Sequence, residues 1–154
     1  ADKFNPNGYF EADIARTLSF NRNWLSSVVG KAIKIPCDLI EYLPENYNYK
    51  FIYIKRDFNE VLKSSMKTKA GLNDNFLNSF PTKLAETYSD YDQIVNDLIS
   101  LRPMAEVLKL DYNELLNEKM VNINRLVSFT GKGNAGHLEP VIDENLYQTR
   151  LVNN

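Results

Sequence analysis

The chain has 154 residues, 44% of them apolar and 25% charged, which is ordinary globular usage and excludes a collagen, a disulfide scaffold and a wholly disordered chain. Eighteen basic against twenty acidic residues leave a formal charge of −2, so no whole-protein field favours nucleic acid or an acidic membrane. The length suits about one domain.

Asn5–Gly8 (NPNG) is turn chemistry. Tyr9–Leu18 then carries Phe10, Ile14 and Leu18 at helical spacing, and Trp24–Val29 predicts a short helix closed by Gly30. Ala32–Ile35 (AIKI) predicts a short strand stopped by Pro36, and Asp38–Leu43 a helical turn or two before Pro44. Lys50–Lys55 (KFIYIK) is the strongest strand signal, dense in β-branched and aromatic residues. Arg56 follows it. Asp57 is then a good helix cap, with Glu60 three positions on completing an Asp form of the capping box. That helix would turn Phe58, Val61, Leu62 and Met66 inward. Thr68–Asn75 is a polar loop with Gly71.

Pro81–Leu101 predicts a long helix with Leu84, Tyr88, Tyr91, Val95, Leu98 and Leu101 on one face, ended by Pro103. Ala105–Leu110 predicts another strand, and Asp111–Glu114 (DYNE) repeats the Asp-x-x-Glu helix start. A helix over Val121–Phe129 ends at Gly131. In the tail, Leu138, Val141, Ile142, Leu146 and Tyr147 are available to pack on the body. Strands alternating with helices predict one α/β domain with a parallel sheet covered by helices on both faces.

The chemistry-bearing residues are few. Cys37 has no partner for a disulfide and cannot build a metal site alone; the expectation is a small buried hydrophobe in a reducing, cytoplasmic setting. His137, the one histidine, lies in a Gly-rich stretch that favours a solvated residue. No run approaches the roughly 18 apolar residues of a membrane span, and the first residues lack signal-peptide character.

In open α/β sheets, ligands bind beyond the carboxyl ends of the strands. Arg56 stands at such an end, directly before a helix start that favours anions, and its planar fork suits phosphate. Ser64, two turns into that helix, adds a hydroxyl. The alternative for Arg56 is a surface ion pair with Asp57 or Glu60.

Taken together, several stretches resemble the sulfotransferase superfamily, especially its bacterial members. Asn5–Glu11 (NPNGYFE) is similar to the segment after that family's nucleotide loop. Gly30–Ile35 (GKAIKI), running to Tyr42–Pro44, resembles its second core strand. Phe51–Asp57 (FIYIKRD) with Glu60–Ser64 (EVLKS) resembles the strand and helix that bind the donor's 3′-phosphate. Val107–Leu116 (VLKLDYNELL) resembles a later strand-to-helix step, and Val141–Arg150 (VIDENLYQTR) a common bacterial ending.

The resemblance implies a P-loop-type, sulfotransferase-like domain using 3′-phosphoadenosine 5′-phosphosulfate, without a metal, to sulfate a hydroxyl or amine on an acceptor the sequence does not name. It also implies roles. Arg56 and Ser64 would hold the 3′-phosphate, and Tyr112 would lie near the adenine. Lys34 would sit by the transferred sulfate, and Glu11 stands where some branches carry their base. Each has a plainer alternative: a solvent-facing strand lysine for Lys34, a packed aromatic for Tyr112 and an exposed first-turn carboxylate for Glu11.

The sequence also departs from the family. It contains no Gly-x-x-x-x-Gly-Lys-Ser/Thr, and Gly131–Gly136 (GKGNAG) follows a helix rather than a strand. The cytosolic members' histidine shortly after this lysine is absent; Pro36 and Cys37 occupy that neighbourhood of Lys34. The expectation is thus the C-terminal portion of a longer domain, missing its first strand and phosphosulfate loop, and weakly active at most. Two alternatives are a non-catalytic module that pairs through an exposed sheet edge, as a homodimer for instance, and another phosphate-binding enzyme such as a nucleotide kinase relative.

Overall fold

Aromatic and β-branched residues make Tyr49–Lys55 a strand, β1, in the computed structural model, which describes residues 12–68, 74–102 and 104–143. β1 pairs in parallel with β2 (Ala105–Asp111), from Tyr49 opposite Ala105 to Lys55 opposite Asp111. A parallel pair needs a long crossover. Here it contains α1 (Phe58–Thr68) and α2 (Asp74–Leu101). α2 starts seven residues earlier than its pattern predicts, so Pro81 lies inside it rather than at its head. Asp74 and Asn75 therefore belong to this helix, not to a loop.

After β2 come α3 (Tyr112–Asn117), α4 (Lys119–Thr130) and the four-residue α5 (Ala135–Leu138). Gly131 ends α4 with φ 66°, in the left-handed region that glycine enters without strain. Asn134 caps α5 by accepting from the Gly136 amide at 2.9 Å, so the glycine-rich stretch joins two helices.

The two faces of the sheet carry different helices. Tyr53 and Lys109, paired in register, both reach α2: the Tyr53 hydroxyl lies 3.3 Å from Asp92 Oδ1 and Lys109 Nζ lies 2.8 Å from Asn96 Oδ1. On the opposite face, Lys50 Nζ donates to the carbonyl of Phe129 on α4 at 2.7 Å. Helices are therefore present on both faces, as expected, although on the α4 face Ile52 and Ile54 of β1 stay exposed. Val95, Leu98, Leu110 and Ile123 form the buried core here. Buried Asn122 of α4 donates to the Glu114 and Glu118 carbonyls at 3.0 and 3.2 Å, satisfying the open end of α3.

These elements make up one of two compact units, Asn48–Asn154; the other is Ala1–Tyr47. The described part of the latter is built from three 3-10 turns, Asp13–Thr17, Asn23–Val28 and Cys37–Tyr42. Ala15, Leu18, Trp24, Leu25, Ile40 and Leu43 are its buried residues. Two expectations change here. Ile14 is 43% exposed while Ala15 and Leu18 are buried, the three-residue spacing of a 3-10 turn rather than an α-helical stripe. Ala32–Ile35 is irregular, and the sheet among the described residues has two strands, not three. The five residues between Gly30 (φ 77°) and Pro36 become a strand only if a neighbour completes their ladder.

Val141, expected to pack, is 73% exposed, and His137 is exposed as expected. Leu146 and Tyr147 lie outside the described residues.

Candidate functional site

β1 and α1 are joined by two residues, Arg56 and Asp57. Asp57 caps the helix: its Oδ1 accepts from the amides of Asn59 and Glu60 at 2.8 and 3.2 Å, and its carbonyl accepts from Val61 at 3.0 Å. The cap has a chemical consequence. The first-turn N–H groups that would attract an anion already face a carboxylate, so attraction at this junction falls to the Arg56 side chain.

Arg56 is held on three sides. Its Nε donates to Glu60 Oε2 at 3.2 Å, and Glu60 is only 2% exposed. Its guanidinium carbon lies 5.0 Å from the ring centroid of Tyr112, the first residue of α3. Such a cation–ring contact contributes about 0.5–2 kcal/mol, depending on desolvation. The third hold is on the peptide. The Arg56 amide donates to the Tyr88 hydroxyl at 3.0 Å, and that hydroxyl donates back to the Arg56 carbonyl. Burial, more than any neighbouring charge, pushes the Tyr88 phenol above its usual range, so it keeps the proton it donates. Its ring packs on Phe58, with centroids 5.8 Å apart. One turn further along α2, Asp92 pairs with Lys55.

Arg56 and Tyr112 are thus brought together, because residues following paired positions of parallel strands leave the sheet side by side. Ser64 is half-buried on α1, one turn beyond Glu60 on the same face. Lys34 belongs to the Ala1–Tyr47 unit, where it is exposed at a cavity of about 210 Å³ lined also by Ile14, Trp24, Val28 and Lys31. Glu11 lies outside the described residues. Cys37 is half-buried, and burial first, with the Asp38 charge second, pushes its thiol up, which disfavours the nucleophilic thiolate. Among the described residues, no three His, Cys, Asp or Glu side chains gather as a metal site would need. No described helix is long and apolar enough to cross a membrane.

The Arg56 fork stands beyond the carboxyl ends of two parallel strands and is ion-paired with Glu60, as the plainer alternative for it had it, except that Glu60 is buried rather than at the surface. The sulfotransferase domain matches residues 33–151, a span containing Lys34, Arg56, Ser64 and Tyr112. The chain belongs to the sulfotransferase family. Comparison with curated proteins and with solved structures gives no match. A sulfotransferase-like function follows from the family in general terms, and the family as a whole uses 3′-phosphoadenosine 5′-phosphosulfate.

Sequence reasoning missed Tyr88, which it placed on an apolar helix face. Tyr88 and Asp92 stand one turn apart, in line with buried Val95. A carboxylate on an inward stripe needs a partner from the element beneath, and that was the available signal.

Proposed function

We propose that this protein transfers a sulfuryl group from 3′-phosphoadenosine 5′-phosphosulfate to a hydroxyl or amine, with Arg56 reading the donor's 3′-phosphate. The position of Arg56 carries the reading: a guanidinium braced by Glu60 and Tyr112 where parallel strands end.

The residues present suit the nucleotide end of the donor. A guanidinium is a planar fork of five N–H donors, a geometry that matches phosphate oxygens. The Ser64 hydroxyl supplies a further donor from the next turn of α1. Tyr112 contributes an apolar ring for the purine as well as a seat for Arg56. The donor, when bound, supplies the activated sulfuryl group. Lys34 would stabilise negative charge developing on the bridging oxygen, and Glu11 would take the acceptor's proton.

Calorimetry with adenosine 3′,5′-bisphosphate tests the reading. Wild type is expected to bind, and Arg56→Ala to lose affinity by on the order of tenfold or more, since a charge-assisted contact is removed. Equal binding by the two proteins would overturn the role of Arg56.

Exposed Ile52 and Ile54 on β1, at 40% and 49%, favour a second reading, a binding module that self-associates through the sheet. Sedimentation as a monomer at high concentration would remove it.

A further inference from the structure

Arg56 lies between the end of β1 and the start of α1. β1 ends at Lys55 and the first helical carbonyl to accept is that of Asp57, so the Arg56 peptide groups fall between strand and helix. Backbone N–H and C=O groups away from water need partners. One phenol serves both: the Tyr88 hydroxyl accepts from the Arg56 amide and donates to its carbonyl. A donor and an acceptor on the same residue are thereby fixed to one atom of α2, and Phe58 holds the ring that carries it. With the peptide fixed, the guanidinium starts from one place, and Glu60 and Tyr112 set its plane.

We infer that Tyr88 is a positioning residue which, acting through the Arg56 peptide, sets the preference of the site for a nucleotide phosphorylated at the ribose 3′ position over one with a bare 3′-hydroxyl. The inference rests on the nucleotide reading of the site given above. A fork held in advance loses less freedom when it meets a phosphate, and that advantage applies only to ligands that carry one there. Affinity for the rest of the nucleotide does not depend on it.

The test uses the full chain, two ligands and one signal. Calorimetry gives affinities for adenosine 3′,5′-bisphosphate and adenosine 5′-phosphate, and nitrogen-15 NMR follows the Arg56 Nε–H resonance without ligand. Tyr88→Phe removes both hydrogen bonds of the phenol and is expected to lower the ratio of the two affinities by roughly five- to tenfold, about the net worth of a single hydrogen bond because the effect is passed on through the Arg56 peptide, with adenosine 5′-phosphate binding unchanged and the Nε–H signal shifted or broadened. Asp92→Asn, which loosens α2 from β1 without touching the Arg56 peptide, is expected to leave ratio and signal as in wild type. Phe58→Leu loosens the phenol but keeps its hydroxyl, and moves both readouts the same way by less; it decides the question if Tyr88→Phe fails to fold.

An unchanged ratio and signal in the Tyr88 and Phe58 variants would overturn the assignment, as would an equal loss in Asp92→Asn. If wild type itself shows no preference between the nucleotides, the donor reading fails instead. The Nε–H signal then judges Tyr88 alone: an altered signal in Tyr88→Phe supports the positioning role, and an unaltered one refutes it.

Discussion

The two strand-to-helix junctions share the pattern Asp-x-x-Glu, at Asp57–Glu60 and Asp111–Glu114, and use it differently. Both aspartates cap: Asp57 accepts from the amides two and three residues on, and Asp111 does the same at 2.8 and 3.0 Å. The glutamates diverge. Glu60 is 2% exposed and holds Arg56, whereas Glu114 is exposed. One residue makes the difference. Asp111 is both the last residue of β2 and the cap of α3, but Arg56 intervenes between β1 and its cap. The inserted residue needs partners for its side chain and its peptide, and Glu60, Tyr112 and Tyr88 provide them. A junction without a spare residue is a plain turn into a helix, while one with a spare residue becomes a place to hold a charge.

The comparison breaks most sharply at the glutamates. Glu60→Ala is expected to cost about 2 kcal/mol in chemical denaturation, because a nearly buried, charge-assisted contact is lost. Glu114→Ala should stay within about 0.5 kcal/mol, as exposed substitutions do. Equal costs would mean that the burial difference has no energetic meaning. Removing either cap comes next: Asp57→Ala and Asp111→Ala should each cost about 1 kcal/mol, since each frees two first-turn amides. Here similarity is the expectation, and a large gap would show that one aspartate does more than cap.

The smallest effect belongs to the exposed pair beside the first junction. Asp92→Asn should cost about 0.5 kcal/mol or less at neutral pH. Lys55 is held above the ordinary lysine range, chiefly by its hydrogen bond to Asp92. A raised folded value means that this contribution is complete below the ordinary lysine pKa and disappears as pH rises through the raised one. The gap between wild type and Asp92→Asn should therefore close in strongly alkaline buffer, and a gap that widened there would contradict the sign.

Much of this was legible in the sequence where the cause is local. β-Branched and aromatic density marked β1, Asp57 and Asp111 announced their helices, and Gly131 marked the end of α4. That Arg56 stands at a carboxyl strand end was legible too, whereas its contact with the Tyr112 ring is known from the structure alone. What was not legible depends on distant partners. Ala32–Ile35 has strand composition, but ladder bonds come from a neighbour, and composition cannot supply one. Tyr88 has the look of any core aromatic; its role depends on where a long helix crosses the end of a strand more than thirty positions earlier. The burial of Glu60 likewise depends on what packs around α1, a matter of packing rather than pattern.

The parallel register of β1 and β2 has a kinetic consequence. Tyr49 meets Ala105 only after α1 and α2 have been bridged, a closure over on the order of fifty residues. By contrast, α3 and α4 are joined by Asn122 and Glu114, eight positions apart. Contacts near in sequence form sooner than contacts far apart. In refolding, the segment from β2 to α4 should therefore order first and β1 should dock late, bringing Arg56 with it. The ring of Tyr112 would be in place before the cation that rests on it arrives, so ligand binding in a stopped-flow experiment should report the last step of folding rather than the first.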